Sequence, residues 1–130
     1  MPDMELETLL EENVLCAFYK GYFALEECKN LFAQLINEVA KVGARKVLVD
    51  GLQVTGEPTT MERFYFGEFC ANEVTRLTGS TSLSPAFAFV LHEPMLDPGR
   101  FGENVAVNRG MKVKTFDNIT DARAWLEEMK

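Results

Sequence analysis

Polar and apolar positions alternate from Met4 to Leu10: Met4, Leu6, Thr8 and Leu10 can face inward, while Glu5 and Glu7 face out. That is the period of a half-buried strand, and a short helix using Leu6, Leu9 and Leu10 is the alternative. A turn at Glu11-Glu12-Asn13 leads into Val14 to Tyr19, apolar on both faces and ended by Gly21. The pair reads as a hairpin whose second strand lies deeper in a sheet than its first. From Ala24 to Val42 the residues Leu25, Cys28, Phe32, Leu35, Ile36 and Val39 recur at three- and four-residue steps. Glu26, Glu27, Lys29, Asn30 and Lys41 take the other side, so an amphipathic helix is expected, with Gly43 as its stop.

Lys46 to Asp50 is a buried strand ending in an acid, and a helix between two strands implies a right-handed parallel crossover. Residues 51–58 read as a loop. Thr59 or Thr60 opens a second helix running to about Leu77, with Thr59 and Glu62 at capping-box spacing. Residues 78–84, rich in Ser, Thr and Gly, form a polar connection. Ala86 to Leu91 is another buried strand, ending at His92-Glu93-Pro94. Asp97-Pro98 starts a short helix weakened by Gly99 and Gly102 and stopped at Gly110. Lys112 to Phe116 alternates charge with bulk, as an edge strand does. Asn118 caps a last helix that buries Ile119, Ala122, Trp125, Leu126 and Met129. The order β-β-α-β-α-β-α-β-α predicts an α/β protein: a single mixed, mostly parallel sheet with an N-terminal β-hairpin and about four helices, in one domain over residues 1–130.

Charge narrows the partners. Twenty acids against thirteen bases leave a formal net charge of -7, which repels phosphate backbones and anionic membranes. Neither nucleic acid nor membrane insertion is expected. The acidic start, Met1 to Glu12, lacks the basic and apolar regions of a signal peptide, so a cytoplasmic protein is expected. Cys16, Cys28 and Cys70 are widely spaced, form no CxxC pair and sit in apolar patterns, reading as core residues in a reducing compartment.

Certain segments carry a resemblance: the hairpin with Gly21 and its long helix, the strand Lys46 to Asp50 with its Gly- and Thr-containing loop, and above all the C-terminal part. There stand Arg100-Phe101-Gly102-Glu103, Asn108-Arg109-Gly110, Val113 to Phe116 and Asp121-Ala122-Arg123-Ala124-Trp125-Leu126. Together they resemble the STAS family (anti-sigma factor antagonist-like, SpoIIAA-like domains), particularly its bacterial STAS/SEC14-like branch. The resemblance implies a non-enzymatic regulatory module that binds proteins, sometimes nucleotides or apolar ligands. It also implies a switch by phosphorylation of a Ser or Thr at the start of the second helix, where Thr59 and Thr60 stand. The family's Asp-Ser pair is absent there, and Pro58 precedes the threonines.

Three site hypotheses follow. Asp50 and His92 end buried parallel strands, the edge where open α/β sheets bind ligands, and Thr55, Thr59, Thr60 and Arg100 lie in the segments beyond. They are candidates for a small ligand or anion pocket near helix N-termini. Alternatively Asp50 fixes a loop, the threonines only cap, and His92 is a solvated strand end. The second hypothesis places Phe66, Phe69, Cys70, Val74 and Leu77 of the second helix on the core face, leaving Met61, Phe64 and Tyr65 beside Glu68 and Asn72. Exposed aromatics rimmed by polar groups form an interaction surface, for a protein partner or for a homodimer; packing under the preceding loop is the alternative. Third, a carrier or sensor of a small apolar or anionic ligand remains open. With one His and no GxSxG, Walker or GxGxxG motif, no enzyme is expected, Asp50 with His92 being the residual candidates. His92, Glu93 and Asp97 make a poor metal site because neighbours on a strand point to opposite faces, and no cofactor is expected.

Overall fold

The computed structural model describes residues 4–129. Its sheet has five strands in the order β1-β2-β3-β4-β5: β1 (Met4–Glu11), β2 (Val14–Tyr22), β3 (Lys46–Thr55), β4 (Ala86–Val90) and β5 (Lys112–Phe116). β1 pairs antiparallel with β2, and every later neighbour is parallel. The helices are α1 (Leu25–Val42), α2 (Thr60–Thr81), α3 (Phe101–Asn108) and α4 (Ile119–Glu128). The mixed α/β sheet with its N-terminal hairpin is therefore the one the hydrophobic pattern predicts.

Strand periodicity splits the core in two. Leu15, Ala17, Val47, Val49 and Phe87 point to one face, where Phe32, Leu35 and Val39 of α1 and Cys70, Val74 and Leu77 of α2 close over them. Cys16, Leu48, Ala88 and Val90 point to the other, where only α4 packs, through Ala122 and Leu126. All three cysteines are free and buried. Phe32 anchors the larger core, with its ring 5.7 Å from Phe87 and 6.1 Å from Phe66.

Four elements, β2, β3, α2 and α3, have bounds that differ from the sequence expectation, and a fifth, β1, differs in its burial. β2 continues through Gly21 to Tyr22, and β3 does not stop at Asp50 but runs on to Thr55, replacing most of the loop expected at 51–58. A β-bulge makes this possible: Phe18 pairs with Asp50 and Lys20 with Gln53, so Gly51 and Leu52 together oppose Tyr19. Gly51 suits that position because a Cβ there would lie 2.6 Å from Leu91 Cδ2. α2 continues past Leu77 into the expected polar connection. There the Thr81 hydroxyl donates to Leu77 O (2.7 Å), Thr78 to Leu83 O (2.7 Å), and Ser82 ends the helix in the left-handed region. α3 begins at Phe101 rather than at Asp97: Asp97 Oδ2 accepts from Phe101 N (2.8 Å), but Arg100, at φ 54°, separates the two. Finally, β1 is a strand and not a short helix, though only its first half is covered. Met4 is buried while Thr8 and Leu10 are exposed: α1 reaches the start of the strand, where Met4 N donates to Glu27 (3.0 Å), and α4 meets the hairpin tip through the Arg123–Glu11 ion pair (3.2 Å).

Candidate functional site

The capping box expected at the start of α2 is present. Thr59 Oγ1 accepts from Glu62 N (3.1 Å), and the Glu62 carboxylate accepts from Thr59 N (2.9 Å). It fixes the helix entry, so that Thr59 and Thr60 are exposed at the first turn. One turn on, Met61 is 55% and Tyr65 46% exposed. Phe64 is half-buried between them, edge-on to Tyr65 (5.6 Å) and under the Arg109 guanidinium (5.5 Å). Arg109 is itself held by Glu68 (3.1 Å), tying α2 to the residue that follows α3. The opposite side of α2 packs inward through Gly67, Cys70, Ala71, Val74 and Leu77.

The six polar pocket candidates do not converge. Asp50 points to the α4 side of the sheet, where its carboxylate accepts from Leu52 N (3.1 Å) beside the bulge. There it borders a surface hollow with Glu5, Glu7, Phe18, Tyr19, Lys20 and Gln53. Arg100 lies on the other side. Its guanidinium donates to Thr115 O and to Thr115 Oγ1 (2.9 Å) and pairs with Glu103 (3.5 Å), which in turn accepts from Thr115 N and Oγ1 (2.6 and 2.7 Å). The physical reason for the separation is parity: Asp50 belongs to the strand positions facing α4, whereas Arg100 sits over the face that α2 and α3 cover. Thr55 is exposed at the end of β3, and His92 is an exposed turn residue whose carbonyl accepts from Leu96 N (2.8 Å).

The arrangement also contains residues that periodicity does not point to. Arg63, on the inner edge of α2, donates to Met95 O (2.8 Å) and Pro94 O (2.7 Å), latching the segment after β4 onto the helix. Nothing local in sequence marks Arg63, since its partners are backbone carbonyls thirty residues away. Gly67 and Gly102 form the α2–α3 contact: a Cβ on Gly67 would lie 2.6 Å from Gly102 O. A glycine in each of two helices was the available signal. Among the described residues no three His, Cys, Asp or Glu side chains come together as a metal site, and no helix is long and apolar enough to cross a membrane.

No protein-family model and no curated protein matches this sequence. Solved structures do. An anti-sigma factor antagonist from Mycobacterium paratuberculosis superposes with a TM-score of 0.64 at 14% identity, over 98% of each chain. A DUF3478-family protein with a SpoIIAA-like fold from Shewanella loihica gives 0.51 at 15% identity, over 95% of this chain and 93% of that one. On these superpositions, this chain has a STAS-like fold.

Proposed function

We propose that the protein is a non-enzymatic regulatory module that docks a partner protein on the outer face of the first turns of α2. The observation that carries this is the exposure of Met61 and Tyr65 at 55% and 46%, directly after a rigidly capped helix start. Large apolar side chains on a pre-ordered helix bury area on docking with little further loss of conformational freedom. Phe64, Glu68 and Arg109 supply a half-buried aromatic centre and a polar edge. Phe101 widens the same surface, standing one residue from the contact between Gly102 and Arg63. The polar candidates of the sequence do not assemble a general base with an orienting partner, so no catalytic step is assigned.

Thr60 is the residue of this face suited to modification. It is exposed and, unlike Thr59, its hydroxyl takes no part in the cap. A phosphate there would sit at the positive end of the α2 dipole and beside Met61, adding charge to an apolar docking surface. A homodimer through the same face is the competing use of this surface.

The test compares wild type with Tyr65→Glu and Met61→Glu in affinity capture from the native host and in sedimentation velocity. Leu9→Glu, on the opposite side of the sheet, is the control. A protein captured by wild type and by Leu9→Glu but lost at least tenfold with Tyr65→Glu supports the docking face. A dimer lost in the same variants assigns the face to self-association. Equal capture and equal mass in all four forms would falsify the proposal.

A further inference from the structure

Between the sheet and the helices α1, α2 and α3 lies a cavity of about 130 Å³. Its walls are almost wholly apolar, including Cys28, Val49, Phe66, Cys70 and Phe89. The polar side chains at its border, Glu62, Arg63, Asp97, Arg100, Glu103 and Thr115, are hydrogen-bonded within the fold, and Tyr19 is not. Tyr19, on β2, is 5% exposed, lines the cavity, and its hydroxyl has no hydrogen-bond partner among the described residues. A buried hydroxyl without a partner is a destabilising feature that folded proteins rarely keep. We propose that the cavity is a binding site for one small neutral molecule, a single ring or short branched chain bearing one hydroxyl or carbonyl oxygen, which Tyr19 anchors by a hydrogen bond.

Volume sets the size class. An apolar cavity of about 150 Å³ accommodates benzene, so this one holds a six-membered ring and not a long acyl chain. Charge is excluded from within. The carboxylates that border it are bound within the fold, Glu62 by Thr59 N, Asp97 by Phe101 N and Glu103 by Thr115 N, and an ion moved inside would lose its hydration without a free counter-charge. The guanidiniums at the rim are already engaged, Arg63 by two backbone carbonyls and Arg100 by Thr115 and Glu103. Burial holds the Tyr19 phenol and the Cys28 and Cys70 thiols in their protonated forms, the Cys28 thiol being pushed up to about 12. Tyr19 thus presents a hydroxyl donor to an acceptor oxygen across the whole physiological range. The segment carrying Met95 and Leu96 borders the cavity and is held to α2 by the Arg63 latch.

Phenol and benzene, differing by one hydroxyl, are the probes. Each is titrated into the full chain while amide chemical shifts are followed by NMR. The expected result is saturable, one-to-one shifts centred on Tyr19, Phe66, Cys70 and Phe89 for both. Tyr19→Phe weakens phenol about five- to tenfold and leaves benzene binding unchanged, since one hydrogen bond is removed and the wall remains. Ala106→Leu, which fills the cavity from α3, abolishes both; Cys70→Leu fills it from α2 and serves where the first variant loses its folded spectrum. Wild type that shows no saturable, localised shifts with either probe overturns the proposal. So does a Tyr19→Phe variant that binds phenol as tightly as wild type, or that loses phenol and benzene equally. The docking face on α2 points away from the cavity, so failure here leaves that proposal standing.

Discussion

Tyr19 sits in a run, Val14 to Tyr19, that is apolar on both faces, and it is the one member whose hydroxyl needs a partner. The β-bulge places it: two residues of β3 oppose Tyr19, and its ring is directed into the space under α2. In the ligand-free protein the hydroxyl is a liability. Tyr19→Phe keeps the ring and removes the unpartnered oxygen, so the variant is expected to be more stable than wild type by about 1–3 kcal/mol. Urea denaturation of the two proteins measures this, and a less stable variant would mean that the hydroxyl is satisfied inside the fold. Arg100 shows the converse case. The sequence marks it as a free cation for an anion pocket, but the fold uses it to bind Thr115 and Glu103. A side chain's type is legible in sequence; its partner, when it lies fifteen residues away on another element, is not.

The elements follow local chemistry closely and depart from it where a tertiary contact takes over. α1 begins and ends where its amphipathic period begins and ends, with Gly43 in the left-handed region. α2 shows the departure: its two ends are set by side-chain hydrogen bonds, but its middle is set by α3. At Gly67 a methyl group would meet the Gly102 carbonyl at 2.6 Å and Val105 Cβ at 3.3 Å, and a backbone oxygen cannot rotate aside. Gly67→Ala is therefore expected to destabilise the protein by about 1–3 kcal/mol by forcing the helices apart, despite alanine's better helix propensity. Gly79, in the same helix, has nothing within 4 Å of its would-be Cβ. Gly79→Ala is expected to stabilise by about 0.5–1 kcal/mol. Opposite signs from one substitution type in one helix, read by urea denaturation, separate the packing term from the propensity term. Two changes of the same sign would remove the α2–α3 contact as the cause.

At the scale of the whole molecule, the helices divide unequally. Three cover one face of the sheet and α4 alone covers part of the other, so the thicker core gathers Tyr19, Cys28 and Cys70 together. Desolvation raises all three above their ordinary values of 10.0 and 9.0. The sign of the consequence follows from linkage. Below pH 9 both folded and unfolded chains hold these protons, and this contribution to stability is fully present. Above it the unfolded chain releases them while the folded chain retains them, so stability falls as pH rises from about 9 toward 12, by about 1.4 kcal/mol per pH unit for each buried thiol. Urea midpoints measured at pH 7, 9 and 10.5 should fall only across the last interval. Cys28 and Cys70, held as thiols by burial, should react with a bulky, charged thiol reagent at pH 8 far more slowly than in the urea-unfolded chain. Labelling of either by that reagent at the unfolded rate in the native state would contradict their burial.

The alternating and three-to-four periods of the chain determined the element order, the free buried cysteines, the capped start of α2 and its two-sided character. These are properties of consecutive residues. So is the sheet class, because the hairpin and crossovers follow from the order of elements. Only the tertiary structure decided which polar groups meet. It turned Asp50 and Arg100 to opposite faces, latched Arg63 onto Pro94 and Met95, and left the Tyr19 hydroxyl facing a cavity. The physical reason is the bulge at Gly51 and the α2–α3 contact at Gly67: register and close approach depend on residues that neither element contains by itself.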